Sequence, residues 1–232
     1  GPYGVLKSGG ASAMFLLGAA GDQPWGVAVD FGYVYWTTWV AQSGELGVIA
    51  WADKVSGEVL ALATDQDRPL RLALDETHVY WTNGDRGEGG VLRRVPKSGG
   101  DVVTLTAGAS PDGFIAVDDL DVYFIGAGTN DLMAVPKAGG PSTLIAALSV
   151  GLGAMATDGE RVYASGTDGI HVVERDGSSV ERLAGTELRS VWVGARCPIL
   201  LLDRRRRDAR GCLPSAEVAE ERCSERLRGS AT

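Results

Sequence analysis

The chain has 232 residues, 44% hydrophobic and 22% charged, with 33 glycines and a net charge of −8. This composition excludes a disordered or fibrous chain, and no run approaches the ~18 apolar residues of a membrane-spanning helix. The charge is uneven, with 13 basic and 24 acidic side chains in residues 1–195 and 9 and 6 in residues 196–232, and an acidic body argues against nucleic acid, whose binding rests on phosphate neutralisation.

From the N-terminus, Val5-Leu-Lys-Ser-Gly-Gly10 reads as a turn and Ala13 to Leu17 as the strand after it, so the chain enters in mid-unit. The alternative is that Lys7 and the apolar stretch after it form a signal peptide. Pro24-Trp-Gly-Val-Ala-Val-Asp30 and Pro69-Leu-Arg-Leu-Ala-Leu-Asp75 then lead, three residues on, into Val34-Tyr-Trp-Thr37 and Val79-Tyr-Trp-Thr82. Phe114-Ile-Ala-Val-Asp118 before Val122-Tyr-Phe124, and Ala154-Met-Ala-Thr-Asp158 before Val162-Tyr163, continue the series, with the aspartates 45, 43 and 40 residues apart. Each anchor is followed by an apolar stretch, a tight turn and a second apolar stretch, as in Val91 to Gly100 and Leu132 to Gly140. Four short strands rich in Val, Tyr, Trp, Ile and Leu, bounded by Gly, Asp, Asn or Ser, recur every 40 to 45 residues, the period of a propeller blade. A helical repeat would instead show apolar residues at three and four spacing over ten or more positions.

The expected fold is therefore an all-β propeller of four-stranded antiparallel blades, with four complete repeats at about 24–64, 69–107, 111–148 and 152–186. A degraded fifth unit begins at Leu188, where Gly194 replaces the repeat aspartate and Pro198 the first valine. Either residues 188–202 join residues 3–17 in a split blade that closes a ring, or the chain is a fragment of a six- or seven-bladed parent. Residues 204–232 form a basic tail, disordered or with a short helix from Pro214 to Arg228. Cys197, Cys212 and Cys223 all lie in the last 36 residues, without a CxxC spacing to suggest zinc and with their pairing open.

These repeats resemble the YWTD-type β-propeller and, more loosely, NHL-type and other secreted bacterial propellers. The likeness covers residues 24 to about 186, and its clearest carriers are Tyr35-Trp-Thr-Thr38 and Tyr80-Trp-Thr-Asn83, which keep three of four letters and lack the closing aspartate. The resemblance implies an extracytoplasmic protein, periplasmic, secreted or surface-attached.

Repetition also filters the functional candidates, because a residue type found in the same slot of every blade is explained by the scaffold. Asp30, Asp75, Asp118 and Asp158 are expected to hold turn amides, and Tyr35, Tyr80, Tyr123 and Tyr163, with Trp36 and Trp81, to pack between blades. His78 shares a variable slot with Tyr33, Asp121 and Arg161, and His171 one with Arg93 and Met133; neither shows the convergent partner that acid–base catalysis needs. Non-recurring residues gather in the loops before the first strand and between the second and third, at one end of the propeller. Trp25, Trp39, Asp67, Arg71, Arg86 and Phe114 are the candidate ligand-binding residues. Asn83 to Gly90 raises the question of calcium but lacks EF-hand spacing, and no catalytic residue, metal ligand or cofactor is assigned.

The expected function is a non-enzymatic binding module that presents this loop face to a protein, peptide or glycan. One alternative is a propeller enzyme of lactonase or lyase type with a site at the central channel; another is a truncated fragment without independent function.

Overall fold

The structure, a computed structural model, describes residues 3–4, 13–14, 23–39, 46–84, 89–110, 113–148, 151–183, 188–194 and 197–203. Among them are twenty strands and no helix. Strands β1 (Tyr3–Gly4) and β2 (Ala13–Met14) pair as a two-stranded sheet. The first four-stranded sheet follows as β3 (Gln23–Val29), β4 (Tyr33–Trp39), β5 (Leu46–Asp53) and β6 (Val59–Asp67). The second comprises β7 (Pro69–Leu74), β8 (His78–Asn83), β9 (Gly90–Pro96) and β10 (Val103–Ala109). The third comprises β11 (Ile115–Val117), β12 (Asp121–Ile125), β13 (Asp131–Pro136) and β14 (Thr143–Ala147). The fourth comprises β15 (Leu152–Thr157), β16 (Arg161–Gly166), β17 (Gly169–Glu174) and β18 (Val180–Leu183). A last pair, β19 (Leu188–Gly194) and β20 (Cys197–Asp203), forms its own two-stranded sheet. All four large sheets are meanders in chain order, the arrangement that the repeats anticipated.

The chain divides into two compact units, Gly1–Thr129 with Ala134–Thr143, and Asn130–Met133 with Leu144–Thr232. In the first, alternation along β4 sends Tyr35 to one face and Trp36 to the other. Tyr35, Ile49 and Ala63 of the first sheet pack with Val79, Trp81 and Val95 of the second in one buried cluster. Trp36 instead packs with Ala50 and Ala52. The two sheets approach so closely that a Cβ on Gly26 would stand 2.5 Å from the Leu70 carbonyl oxygen, a place only glycine can fill. In the second unit β19 lies against β15, β16 and β17.

Of the two stretches expected to share a split blade, β1–β2 and β19–β20 each form a two-stranded sheet, and residues 5–12 and 15–17 lie outside the described residues. The tail at 204–232, with Cys212, Cys223 and its expected helix, lies outside the described residues.

Candidate binding face

Every large sheet carries the same device at its first turn. Asp30 Oδ1 accepts the amides of Gly32 (3.0 Å) and Tyr33 (2.8 Å), while Oδ2 accepts the Tyr35 hydroxyl at 3.2 Å. Asp75 does the same for Thr77, His78 and Tyr80, each at 2.7 Å. Asp118 holds Leu120, Asp121 and Tyr123, each at 2.8 Å. Asp158 holds Glu160 (3.0 Å), Arg161 (2.8 Å) and Tyr163 (2.7 Å). Two of these carboxylates also take a lysine from the Lys-x-Gly-Gly turn of the next repeat: Lys97 reaches Asp30 at 2.8 Å and Lys137 reaches Asp75 at 2.9 Å.

Burial alone would raise the Asp75 carboxyl, but Lys137, Tyr80 and the two amides outweigh it and hold the group well below its ordinary value. Asp30 is lowered in the same way: Lys97 and the amides of Tyr33 and Gly32 prevail over burial. The phenols respond in the opposite sense, and burial with the Asp158 carboxylate pushes Tyr163 up to about 12. Tyr35, Tyr80, Tyr123 and Tyr163 are at most 2% exposed, as are Trp36 and Trp81. The recurring residues are therefore occupied in holding turns and packing sheets.

In the first, second and fourth sheets the other end, where the first strand begins, is built around a bulge. Register shifts fall between Pro24 and Val27, Pro69 and Leu72, and Leu152 and Ala154. A hydroxyl from the second strand satisfies the amide that each bulge frees: Thr37 Oγ1 accepts Gly26 N at 2.8 Å, Thr82 Oγ1 accepts Arg71 N at 3.2 Å, and Ser165 Oγ accepts Ala154 N at 2.8 Å. Thr37 then donates to the Leu70 carbonyl at 2.7 Å, tying the first sheet to the second. Bulges re-aim the side chains beside them, and here those are Trp25 and Arg71.

Trp25 stacks on Trp39, at the far end of β4, with ring centroids 6.1 Å apart and planes 29° apart. Trp25 remains 44% exposed. The Arg68 guanidinium lies 5.3 Å from the Trp39 ring centroid. Arg71 stands 4.2 Å over the Phe114 ring. Trp25 and Arg71 flank the Gly26–Leu70 contact, so these two aromatic pairs share one end of the first unit. Asp67 closes β6 opposite Leu46 and is half-buried. Arg86 lies outside the described residues, as do Asp85 and Glu88 of the segment raised for calcium. Among the described residues no three His, Cys, Asp or Glu side chains are grouped to hold a metal.

Arg68 was not singled out by its sequence, although the short link between β6 and β7 is its structural signature. Its φ is 40° and that of Asp65 is 57°, left-handed conformations that cost a non-glycine residue about 1–3 kcal/mol each. The Nε groups of Arg68 and the Nε1 of Trp39 are buried donors without an acceptor among the described residues. Sequence reasoning also missed a pairing in the second unit, where His171 Nε2 meets Asp168 Oδ1 at 2.8 Å across the β16–β17 turn. Arg182 donates to the Asp168 carbonyl at 3.1 Å.

No protein-family model and no curated protein matches the chain. Solved structures do. The chain is similar to one in a crystal structure of a nidogen/laminin complex, with a TM-score of 0.65 and 16% identity over 84% of this chain and 76% of that one. A putative TolB from Agrobacterium tumefaciens gives a TM-score of 0.53 and 15% identity over 76% of this chain and 68% of that one. BamB from Moraxella catarrhalis gives 0.53 and 15% over 78% of this chain, which spans 55% of the BamB chain. At such identities the likeness speaks for the fold, and with the four meander sheets it makes this chain a β-propeller repeat protein.

Proposed function

We propose that this β-propeller is a non-enzymatic binding module whose loop end, centred on Trp25 and Trp39, engages a protein or peptide. The observation that carries the reading is the Trp25–Trp39 stack with Arg68 against it, half open to solvent at the end of the sheets where repetition breaks down. Tryptophan and arginine dominate protein-binding hot spots, because each covers a large area and adds a directed polar contact. Asp67, Arg71 and Phe114 form the rim of the proposed surface. The similarity to a propeller solved in a complex with laminin supports the same reading. The likeness of the repeats to secreted bacterial propellers supports an extracytoplasmic location as part of this proposal.

Random peptides displayed on phage and selected on the wild-type chain test it. Selected peptides should bind Trp25→Ala and Trp39→Ala variants at least about tenfold more weakly, as expected for hot-spot residues. Peptides that bind wild type and both variants equally would place the binding surface elsewhere.

A further inference from the structure

The opposite end of the first unit, where the Asp30 turn joins β3 to β4, holds an open cleft of about 330 Å³. Tyr33 and Trp51 from the first sheet and Glu76, Lys97 and Ser98 from the second line it, around the Asp30–Tyr35 pair. The scaffold accounts for Asp30, Tyr35 and Lys97. Trp51 also packs, partly buried, against the core cluster of the two sheets, but its residue type, like that of Tyr33, is not shared by the sibling sheets. The residue that faces the recurring tyrosine across the second and third strands is Trp51 in the first sheet but Arg94 in the second and Val172 in the fourth. Tyr33 occupies a slot filled by His78, Asp121 and Arg161 elsewhere. The two unshared aromatics meet edge to face, with centroids 4.8 Å apart and planes at 84°.

We propose that this cleft is a saccharide site that takes a neutral pyranose against Tyr33 and Trp51, with its hydroxyls bonded to Glu76, Ser98 and Lys97. The volume falls in the range of about 300–1,000 Å³ usual for small-molecule clefts. Charge selects the ligand class. Lys97 bonds the Asp30 carboxylate and Lys54 the Asp30 carbonyl, so with Glu76 two ammonium groups and two carboxylates meet around the cleft and their charges cancel. A polyhydroxylated neutral molecule needs no counter-charge there and matches the mixture of partners on offer. The Glu76 carboxylate accepts only, the ammonium donates only, and the Ser98 and Tyr33 hydroxyls do either. The aromatic rings supply an apolar wall for the C–H face of a sugar ring, with a polar tip on Tyr33.

The probes are the methyl glycosides of glucose, galactose, mannose and N-acetylglucosamine, with N-acetyl-lysine amide and inorganic phosphate as charged counterparts. Saturation-transfer NMR should show contact with at least one methyl glycoside, accompanied by a shift of the Trp51 indole resonance, and with neither charged probe. Tyr33→His and Trp51→Val copy residues that sibling sheets already carry and should therefore fold; Glu76→Gln alters an exposed side chain. Each should weaken the glycoside by about fivefold or more, the loss expected for one hydrogen bond or ring contact. The proposal is overturned if no glycoside responds, if either charged probe binds in preference, or if Glu76→Gln and the folded aromatic variants bind as wild type does.

Discussion

The two ends of the sheets in the first unit are built on opposite rules. At the Asp turns the sequence repeats: one carboxylate serves two amides and a phenol in every large sheet, and Lys97 and Lys137 tie two of them to the following repeat. At the bulged end, the same register shift presents Trp25 in one sheet and Arg71 in the next. Repetition therefore marks where the chain stabilises itself, and variation marks where it has surface to offer. Within the repeating end, the Tyr33–Trp51 cleft obeys the same rule, because its unshared residues sit between shared ones.

The largest effects are expected at the Asp turns. Asp75→Ala removes the acceptor for Lys137, Tyr80 and two amides at once, and loss of one partner from a mostly buried charged network costs about 3–5 kcal/mol. Asp158→Ala removes a phenol and two amides but, among the described residues, no lysine, and should cost about half as much. Urea unfolding followed by tryptophan fluorescence measures both. Equal losses would mean that the lysine struts add nothing to the turns.

Acid should dissolve the same difference. Asp30, Asp75 and Asp158 are all held below the ordinary value of 3.8. The folded chain therefore binds these protons more weakly than the unfolded chain, and the stability they contribute is complete above about pH 4–5 and lost as pH falls through the folded values. Unfolding midpoints should be level from pH 7 to 5 and fall below 4. In Asp75→Asn that acid limb should be shallower, since one depressed carboxyl is gone; an unchanged limb would assign the acid sensitivity to other groups.

The sheets were legible in the sequence because their signals are local: aromatic and β-branched runs closed by Asp or Gly-Gly turns survive in a single repeat and reinforce one another across four. The roles of Asp30, Asp75, Asp118 and Asp158 were legible for the same reason, as recurrence at a turn implies a backbone partner. The site was only partly legible. Trp25, Trp39, Arg71 and Phe114 stand out as unshared residues, but their joining into two pairs depends on the bulges and on the close approach at Gly26, which no spacing reveals. Tyr33 stood only as one occupant of a variable slot because Trp51, the neighbour that gives it meaning, lies on another strand.

The smallest expected change in stability is the one that best separates the two ends. Arg68 holds a left-handed backbone at φ 40° and lends its guanidinium to the Trp39 ring. Glycine in its place relieves about 1–2 kcal/mol of left-handed strain. Against that it loses a cation–π contact of about 0.5–1 kcal/mol and frees the unfolded chain by a comparable amount. Arg68→Gly should therefore unfold within about 1 kcal/mol of wild type, the net of these terms. Its affinity for peptides selected on the Trp25–Trp39 face should nevertheless fall about tenfold. That pairing of outcomes would identify the strained turn as a feature kept for binding rather than for folding. A clear loss of stability with binding intact would reverse the assignment, placing Arg68 with the repeating scaffold and leaving the two tryptophans to bind without it.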